Sequence, residues 1–204
     1  MKSLLILLLL CASAVSLEAQ VIGRWEMMPI YGSLQNEDWN GAFLKARALL
    51  ASHPNDTTSG FPELLRYIVI FSGAGRVASE QMSYDSLQAV VAPLIGTTIK
   101  LSAHPTSMHT EKPQARFNEN LVKINGDTLK VSCTATNKDA TNILCFEYAD
   151  CLDAEMYDMD ELIGKSSRVR GVLRSVDFNP NRSSVWITRL HISDARLYLF
   201  IPNK

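Results

Sequence analysis

The sequence predicts an α+β protein in which short N-terminal helices pack on a C-terminal antiparallel OB-like barrel or sheet. Three observations support this class. Apolar residues recur at helical spacing through residues 36–94, alternation with a period of two replaces that spacing after Gly96, and Asn125-Gly126 separates two alternating runs as a hairpin turn would. We therefore expect a helical layer over residues 21–95 and a β region over residues 96–204. Each apolar helical stripe is too short to be buried alone, so both parts should share one core.

Residues 1–20 have the pattern of a cleaved secretory signal peptide. Lys2 precedes the apolar run Leu4–Leu10, and small residues follow that run. The run is too short to span a bilayer, which needs about 20 apolar residues. Cys11 follows the large Leu10, whereas a lipidated cysteine normally follows a small residue. The sequence thus predicts a secreted or periplasmic protein without a lipid anchor or a membrane span.

The N-terminal half is predicted to contain three helices. The first is capped at Asn36, buries residues such as Trp39 and ends before His53-Pro54. The second begins at Pro62 and stops at Gly73-Ala74-Gly75, and the third runs from Ser83 to Leu94. Gly23-Arg24-Trp25 indicates a buried tryptophan that anchors the start of this layer.

After Gly96 the sequence predicts strands and one short helix. The predicted elements, in chain order, are Thr97–Ala103, Ala115–Ile124, Thr128–Val131, Ile143–Tyr148, the helix Asp158–Ile163, Ser167–Val176, Ser184–Ile192 and an edge strand Leu197–Ile201. The order of strands and helix resembles that of an OB-type barrel, and another α+β sheet layout is the alternative.

The first candidate site is a row of arginines. Arg168, Arg170 and Arg174 should share one face of their strand because side chains alternate, and Trp186 is a nearby aromatic residue that could stack on a ligand. Such a face could bind phosphate, another anion or nucleic acid. The alternative is that the arginines cover the solvent face and pair with acidic residues. The net charge of -1 favours this alternative and makes nucleic acid an unlikely partner.

The second candidate site lies in the acidic stretch between residues 147 and 161. Asp158, Asp160 and Glu161 could bind Ca²⁺, the one cofactor that the sequence suggests. The alternative is a solvated loop followed by a helix whose first turn carries favourable negative charge. The stretch comprises Glu147, Asp150, Asp153, Glu155, Asp158, Asp160 and Glu161.

The cysteines predict one disulfide bond. Beyond residue 20 the chain has Cys133, Cys145 and Cys151, an odd number for an oxidising compartment. Cys133 and Cys145 lie opposite each other if Asn137–Asn142 is a hairpin loop, so this pair is the first choice and Cys145 with Cys151 is the alternative. The histidines lack the spacing of a zinc site.

The leading functional interpretation is a non-enzymatic binding module for a protein partner or small ligand, using the open face or loops of the C-terminal sheet. No catalytic motif assembles an acid, a base and a nucleophile. The alternatives are an envelope hydrolase that uses carboxylates of the 147–161 segment, such as Asp153 or Asp158, and an anion- or nucleic-acid-binding OB-like domain. A signal ending in Ala19-Gln20, a helical layer and an OB-like sheet together resemble secreted proteins of Bacteroidetes. This resemblance implies an extracytoplasmic location and no particular activity.

Overall fold

The α+β class is confirmed by a computed structural model, which describes residues 21–109, 116–152, 154–181 and 186–201. The predicted signal peptide and Asp153 lie outside these ranges. The described residues form five α-helices, four of them N-terminal, and seven strands in one mixed sheet.

The N-terminal layer contains one helix more than predicted. Its helices are α1 (Arg24–Gln35), α2 (Trp39–Ser52), α3 (Phe61–Ala78) and α4 (Tyr84–Val91), and a short 3-10 turn over Ala92–Leu94 follows α4. The unpredicted helix is α1, which contains Pro29 and buries Met27 and Ile30. Trp25 is 76% exposed, so the expected burial of this tryptophan is wrong.

The glycines of α3 do not end the helix as the sequence predicts. They lie inside it and allow neighbouring helices to pack closely. A Cβ atom on Gly75 would lie 2.4 Å from the Trp39 ring of α2, and one on Gly73 would lie 2.5 Å from Leu87 of α4. The helix continues to Ala78, so the glycine run is the surface on which its neighbours pack.

Four strands are longer than the sequence predicts, two are shorter, and one is not predicted at all. They are β1 (Thr98–Lys100), β2 (His104–Met108), β3 (Asn120–Asn125), β4 (Thr128–Thr136), β5 (Ile143–Cys151), β6 (Ser166–Phe178) and β7 (Trp186–Leu199). The short helix α5 (Met159–Leu162) lies between β5 and β6. The predicted hairpin is confirmed, because Asn125 pairs with Thr128 and Gly126 adopts a φ of +60°. The predicted edge strand Leu197–Ile201 is instead the end of β7.

The sheet closes on itself, and it is mixed rather than antiparallel as predicted. Its strand order is β1-β6-β2-β3-β4-β5-β7, and β6 also pairs with β7. Two pairings are parallel, β2 with β3 and β5 with β7. Between β5 and β7 the chain returns through β6, which pairs antiparallel with β7. The chain therefore runs in the same direction in β5 and β7. The OB-like name for this barrel stays a prediction.

Helices and barrel share one hydrophobic core, as expected. Buried residues of α1 to α4 and of all strands except β2 form a single cluster. Helix α3 packs on the barrel beside β1, where Arg66 donates a hydrogen bond to the Thr98 carbonyl oxygen over 2.9 Å. The fully buried Tyr67 of the same helix lies next to the interior of β5.

Candidate functional site

The three predicted arginines share one face of β6, as expected, and their charges are engaged. The Arg170 guanidinium donates to both carboxylate oxygens of Glu63 on α3, at 2.8 and 2.5 Å. Arg174 donates to Asp194 over 2.7 Å and also to Ser193. The acidic partners thus lie on α3 and β7 rather than in the 147–161 segment.

Trp186 does not join these arginines. It lies at the start of β7, seven residues before the Ser193 that Arg174 contacts, a distance of roughly 23 Å along an extended strand. The remaining arginine of the row, Arg168, lies over the Phe200 ring, with 4.4 Å between its Cζ atom and the ring centroid. The predicted combination of arginines with Trp186 is therefore not a single site.

Asp158, Asp160 and Glu161 are exposed at the N-terminus of α5. The Asp158 carboxylate accepts hydrogen bonds from the backbone N–H groups of Asp160 and Glu161 over 3.0 and 3.1 Å, so it is the helix cap. Binding of Ca²⁺ by these residues stays a prediction. Glu147, which was assigned to the same solvated stretch, is only 1% exposed, so for this residue the solvated assignment is wrong.

The three described cysteines are free and buried, which corrects the predicted disulfide bond. Cys133 pairs with Glu147 across β4 and β5, whereas Cys145 pairs with Ala135. The two thiols therefore lie on diagonal positions. The loop has the predicted bounds, but the pairing shifts register between Ala135 and Thr136.

The candidate functional site is a set of aromatic and cationic side chains on the outer face of β5 and β7. We call it the aromatic platform. Parallel pairing places Phe146 beside Arg189 and Tyr148 beside His191. The platform consists of Phe146, Tyr148, Trp186, Arg189 and His191.

The rings of the platform stack on one another. Phe146 and Tyr148 have ring centroids 6.4 Å apart at an interplanar angle of 27°, and Tyr148 and His191 are 5.8 Å apart at 23°. Trp186 tilts against Phe146 at 6.1 Å. The result is a row of neighbouring rings on the outer face of the two strands, of which Tyr148 is the most exposed member at 40%.

Two polar contacts hold the platform in place. The Arg189 guanidinium lies 4.8 Å from the Trp186 ring and 5.9 Å from the Phe146 ring, distances suited to cation–π attraction. His191 Nε2 lies 3.1 Å from a carboxylate oxygen of Asp177 on β6. Both contacts fix the orientation of the platform side chains.

A shallow groove extends the platform across β4 to β3. The groove contains both positive and negative side chains. Lys130 and Asp150 form an ion pair in it, with 3.5 Å between the Lys130 Nζ and Asp150 Oδ1 atoms. The groove is lined by His109, Leu121, Lys123, Lys130, Val131, Ser132, Tyr148, Ala149, Asp150 and His191. Together, platform and groove combine aromatic side chains with hydrogen-bonding groups, and these groups include both positive and negative charges.

Sequence reasoning identified Trp186 alone among the platform residues. The alternation of Phe146 and Tyr148, and that of Arg189 and His191, indicated that each pair shares a face. The parallel pairing of β5 with β7 brings the two pairs together, and no local pattern specifies that pairing.

No family model matches the chain, and comparison with curated proteins and with solved structures finds no significant match. What the structure itself defines is an α+β protein whose helices pack on a closed mixed sheet. Among the helices of the described ranges, none is both long and apolar enough to cross a membrane.

Proposed function

We propose that the protein is an extracytoplasmic binding module that holds a sugar ring of a glycan against the aromatic platform. The adjacent rings of Phe146, Tyr148 and Trp186, with Tyr148 40% exposed, carry this proposal. Aromatic faces that line a groove with a few polar groups are the usual composition of ligand sites. The signal-type pattern of residues 1–20 supports the location.

The charges around the platform favour a neutral ligand over a polyphosphate. Lys130 is paired with Asp150, and His191 is paired with Asp177. Arg189 and Lys123 add positive charge to this surface, but a nucleic-acid site requires a larger excess of basic groups that release counterions. The polar rim suits hydroxyl groups, which both donate and accept hydrogen bonds.

The strand pairing supports an OB-like interpretation of the barrel. Two features support this interpretation. They are the parallel pairing of β5 with β7 and the short helix between β5 and β6. OB-type barrels bind oligosaccharides and oligonucleotides on one face of the sheet, and the platform lies on such an outer face.

The test is a binding panel of neutral oligosaccharides and peptidoglycan fragments, measured by calorimetry. A panel member should bind, and Tyr148→Ala and Trp186→Ala should each weaken that binding by about tenfold or more, because truncating a central aromatic residue costs about 2 kcal/mol. Trp25→Ala is the matched control, since Trp25 is an exposed tryptophan on α1 away from the platform.

Two results would contradict the proposal. One is the absence of binding by every saccharide on the panel. The other is binding that Tyr148→Ala leaves unchanged. Binding of single-stranded nucleic acid that weakens steeply with salt would instead favour the anion-binding alternative.

A further inference from the structure

A second group of side chains lies inside the barrel, on the opposite face of β5 from the platform. It comprises His104 of β2, Cys133 of β4 and Glu147 of β5, and one potential ligand atom from each lies within 4.8 Å of the other two. Cys133 and Glu147 are directly opposite in the sheet. We call these three residues the inner cluster.

His104 Nε2 and Glu147 Oε2 are buried, and neither has a strong hydrogen-bonding partner among the described residues. The Cys133 thiol, itself a member of the cluster, makes a weak hydrogen bond with the Glu147 carboxyl group. The other carboxylate oxygen of Glu147 accepts a hydrogen bond from the Tyr67 hydroxyl over 2.6 Å. The void beside Glu147 and Cys133 has no room for a water molecule. Since buried polar atoms are nearly always fully satisfied, these two atoms point to a ligand held between the three side chains.

We propose that the inner cluster binds one divalent cation of the Zn²⁺ class through His104 Nε2, Cys133 Sγ and Glu147 Oε2. Nitrogen and sulfur ligands favour Zn²⁺ over Ca²⁺ or Mg²⁺, which prefer oxygen. Histidine nitrogen, cysteine sulfur and carboxylate oxygen are all established Zn²⁺ ligands.

The geometry and charge of the cluster fit such an ion. Tetrahedral bonds of about 2.0 to 2.3 Å hold ligand atoms about 3.5 Å apart, so the atoms must approach one another by about 1 Å. A thiolate and a carboxylate neutralise the double charge of the cation, which suits a buried position. Binding displaces one proton from Cys133 and one from Glu147, so affinity should fall as the pH is lowered.

The surroundings of His104 orient it as a ligand. The ring makes a hydrogen bond with the Asn118 backbone, and Nε2 is the ring nitrogen without a partner. A histidine that binds metal through one nitrogen usually bonds a backbone group through the other. Asn120 donates a hydrogen bond to the His104 carbonyl oxygen over 3.4 Å and one to the Ser167 carbonyl oxygen over 3.0 Å, which fixes this part of β2 against β6.

The test is a titration of the metal-free chain with Co²⁺ under a non-chelating reductant. Cobalt is added to the folded protein and, in a parallel sample, during refolding from denaturant, so that slow access to the interior does not hide the site. We expect one equivalent of Co²⁺, an absorption band from thiolate-to-cobalt charge transfer, displacement of the band by Zn²⁺ and no displacement by Ca²⁺.

Variants assign the ligands. Cys133→Ser should abolish the charge-transfer band, whereas Cys145→Ser should keep it, because Cys145 is an equally buried thiol of the barrel outside the inner cluster. His104→Ala should weaken Co²⁺ binding more than tenfold. This variant affects a half-buried residue and remains informative if Cys133→Ser does not fold.

Three outcomes would overturn the proposal. They are the absence of a cobalt band in the unaltered chain under both loading conditions, a band that Cys133→Ser retains, and an affinity that His104→Ala leaves unchanged. None of them bears on the platform, whose ligand binding is tested by calorimetry with saccharides.

Discussion

Replacing Tyr67 with phenylalanine tests the contact between the helical layer and the barrel interior. Tyr67 of α3 and Glu147 of β5 are each 1% exposed, and their hydrogen bond of 2.6 Å joins elements 80 residues apart in the chain. Tyr67→Phe removes one oxygen atom and leaves a buried carboxyl oxygen without its donor. Such a loss costs about 1 to 3 kcal/mol, since the carboxyl group stays desolvated. In a chain of this length, a loss of about 2 kcal/mol should lower the melting temperature by about 4 to 8 °C.

The assay is urea unfolding followed by circular dichroism, in chelator at pH 5.5. Burial raises the pKa of Glu147 to about 7, so the carboxyl group is neutral under these conditions. Tyr198→Phe is the control, because Tyr198 is exposed on β7 and loss of its hydroxyl group should change stability by less than about 0.5 kcal/mol.

A double variant separates the hydrogen bond from the packing of the two side chains. Glu147→Leu alone leaves the Tyr67 hydroxyl group buried without an acceptor, whereas Tyr67→Phe with Glu147→Leu removes both polar groups. We expect the double variant to be more stable than the sum of the single changes predicts, by about 1 kcal/mol or more. The reasoning is refuted if Tyr67→Phe costs less than about 0.5 kcal/mol, or if the two changes are additive.

Two further predictions concern the helical layer. Burial alone would raise the pKa of Asp56, but hydrogen bonds to its carboxylate, led by those from Ser59, lower the pKa to about 2. The resulting stabilisation, up to about 2 kcal/mol, is present above pH 4 and is lost as the pH falls toward 2. Asp56→Asn should therefore reduce the fall of the urea midpoint between pH 5 and pH 2. An unchanged pH dependence of the midpoint would contradict this prediction. Gly75→Ala should destabilise the protein by about 1 to 3 kcal/mol in thermal unfolding, because the new methyl group meets the Trp39 ring. Gly32→Ala is its control, since nothing lies within 4 Å of that position and alanine favours a helix, and equal effects of the two changes would disprove the packing argument.

The features that the sequence predicted correctly depend on neighbouring residues alone. Ser83 caps α4 by accepting a hydrogen bond from the backbone of Ser86, and Asp158 caps α5. Asn125-Gly126 forms the predicted turn between β3 and β4. A cap or a two-residue turn requires particular side chains within three positions, so pattern and structure coincide at these sites. The predicted cap at Asn36 is wrong, because Asn36 ends α1 and Asp38 caps α2.

The features that the sequence did not predict depend on contacts between distant segments. Pro29 normally disfavours a helix interior, yet α1 forms around it because Met27 and Ile30 are fully buried against the rest of the core. His104 was dismissed as a ligand because its sequence neighbours lack metal-binding spacing. It reaches Cys133 only because β2, β3 and β4 are adjacent in the sheet.

Strand β5 places two different chemistries on its two faces, and its register determines which face receives each of them. Phe146 and Tyr148 point outward to the platform, while Glu147 points inward to Tyr67 and the inner cluster. A shift of one residue would exchange the faces, placing a carboxyl group in the platform and two aromatic rings in the narrow interior. The hydrogen bond from Tyr67 forms only in the observed register. This buried hydrogen bond from α3 therefore helps to fix the geometry of the outer surface on the opposite face of β5.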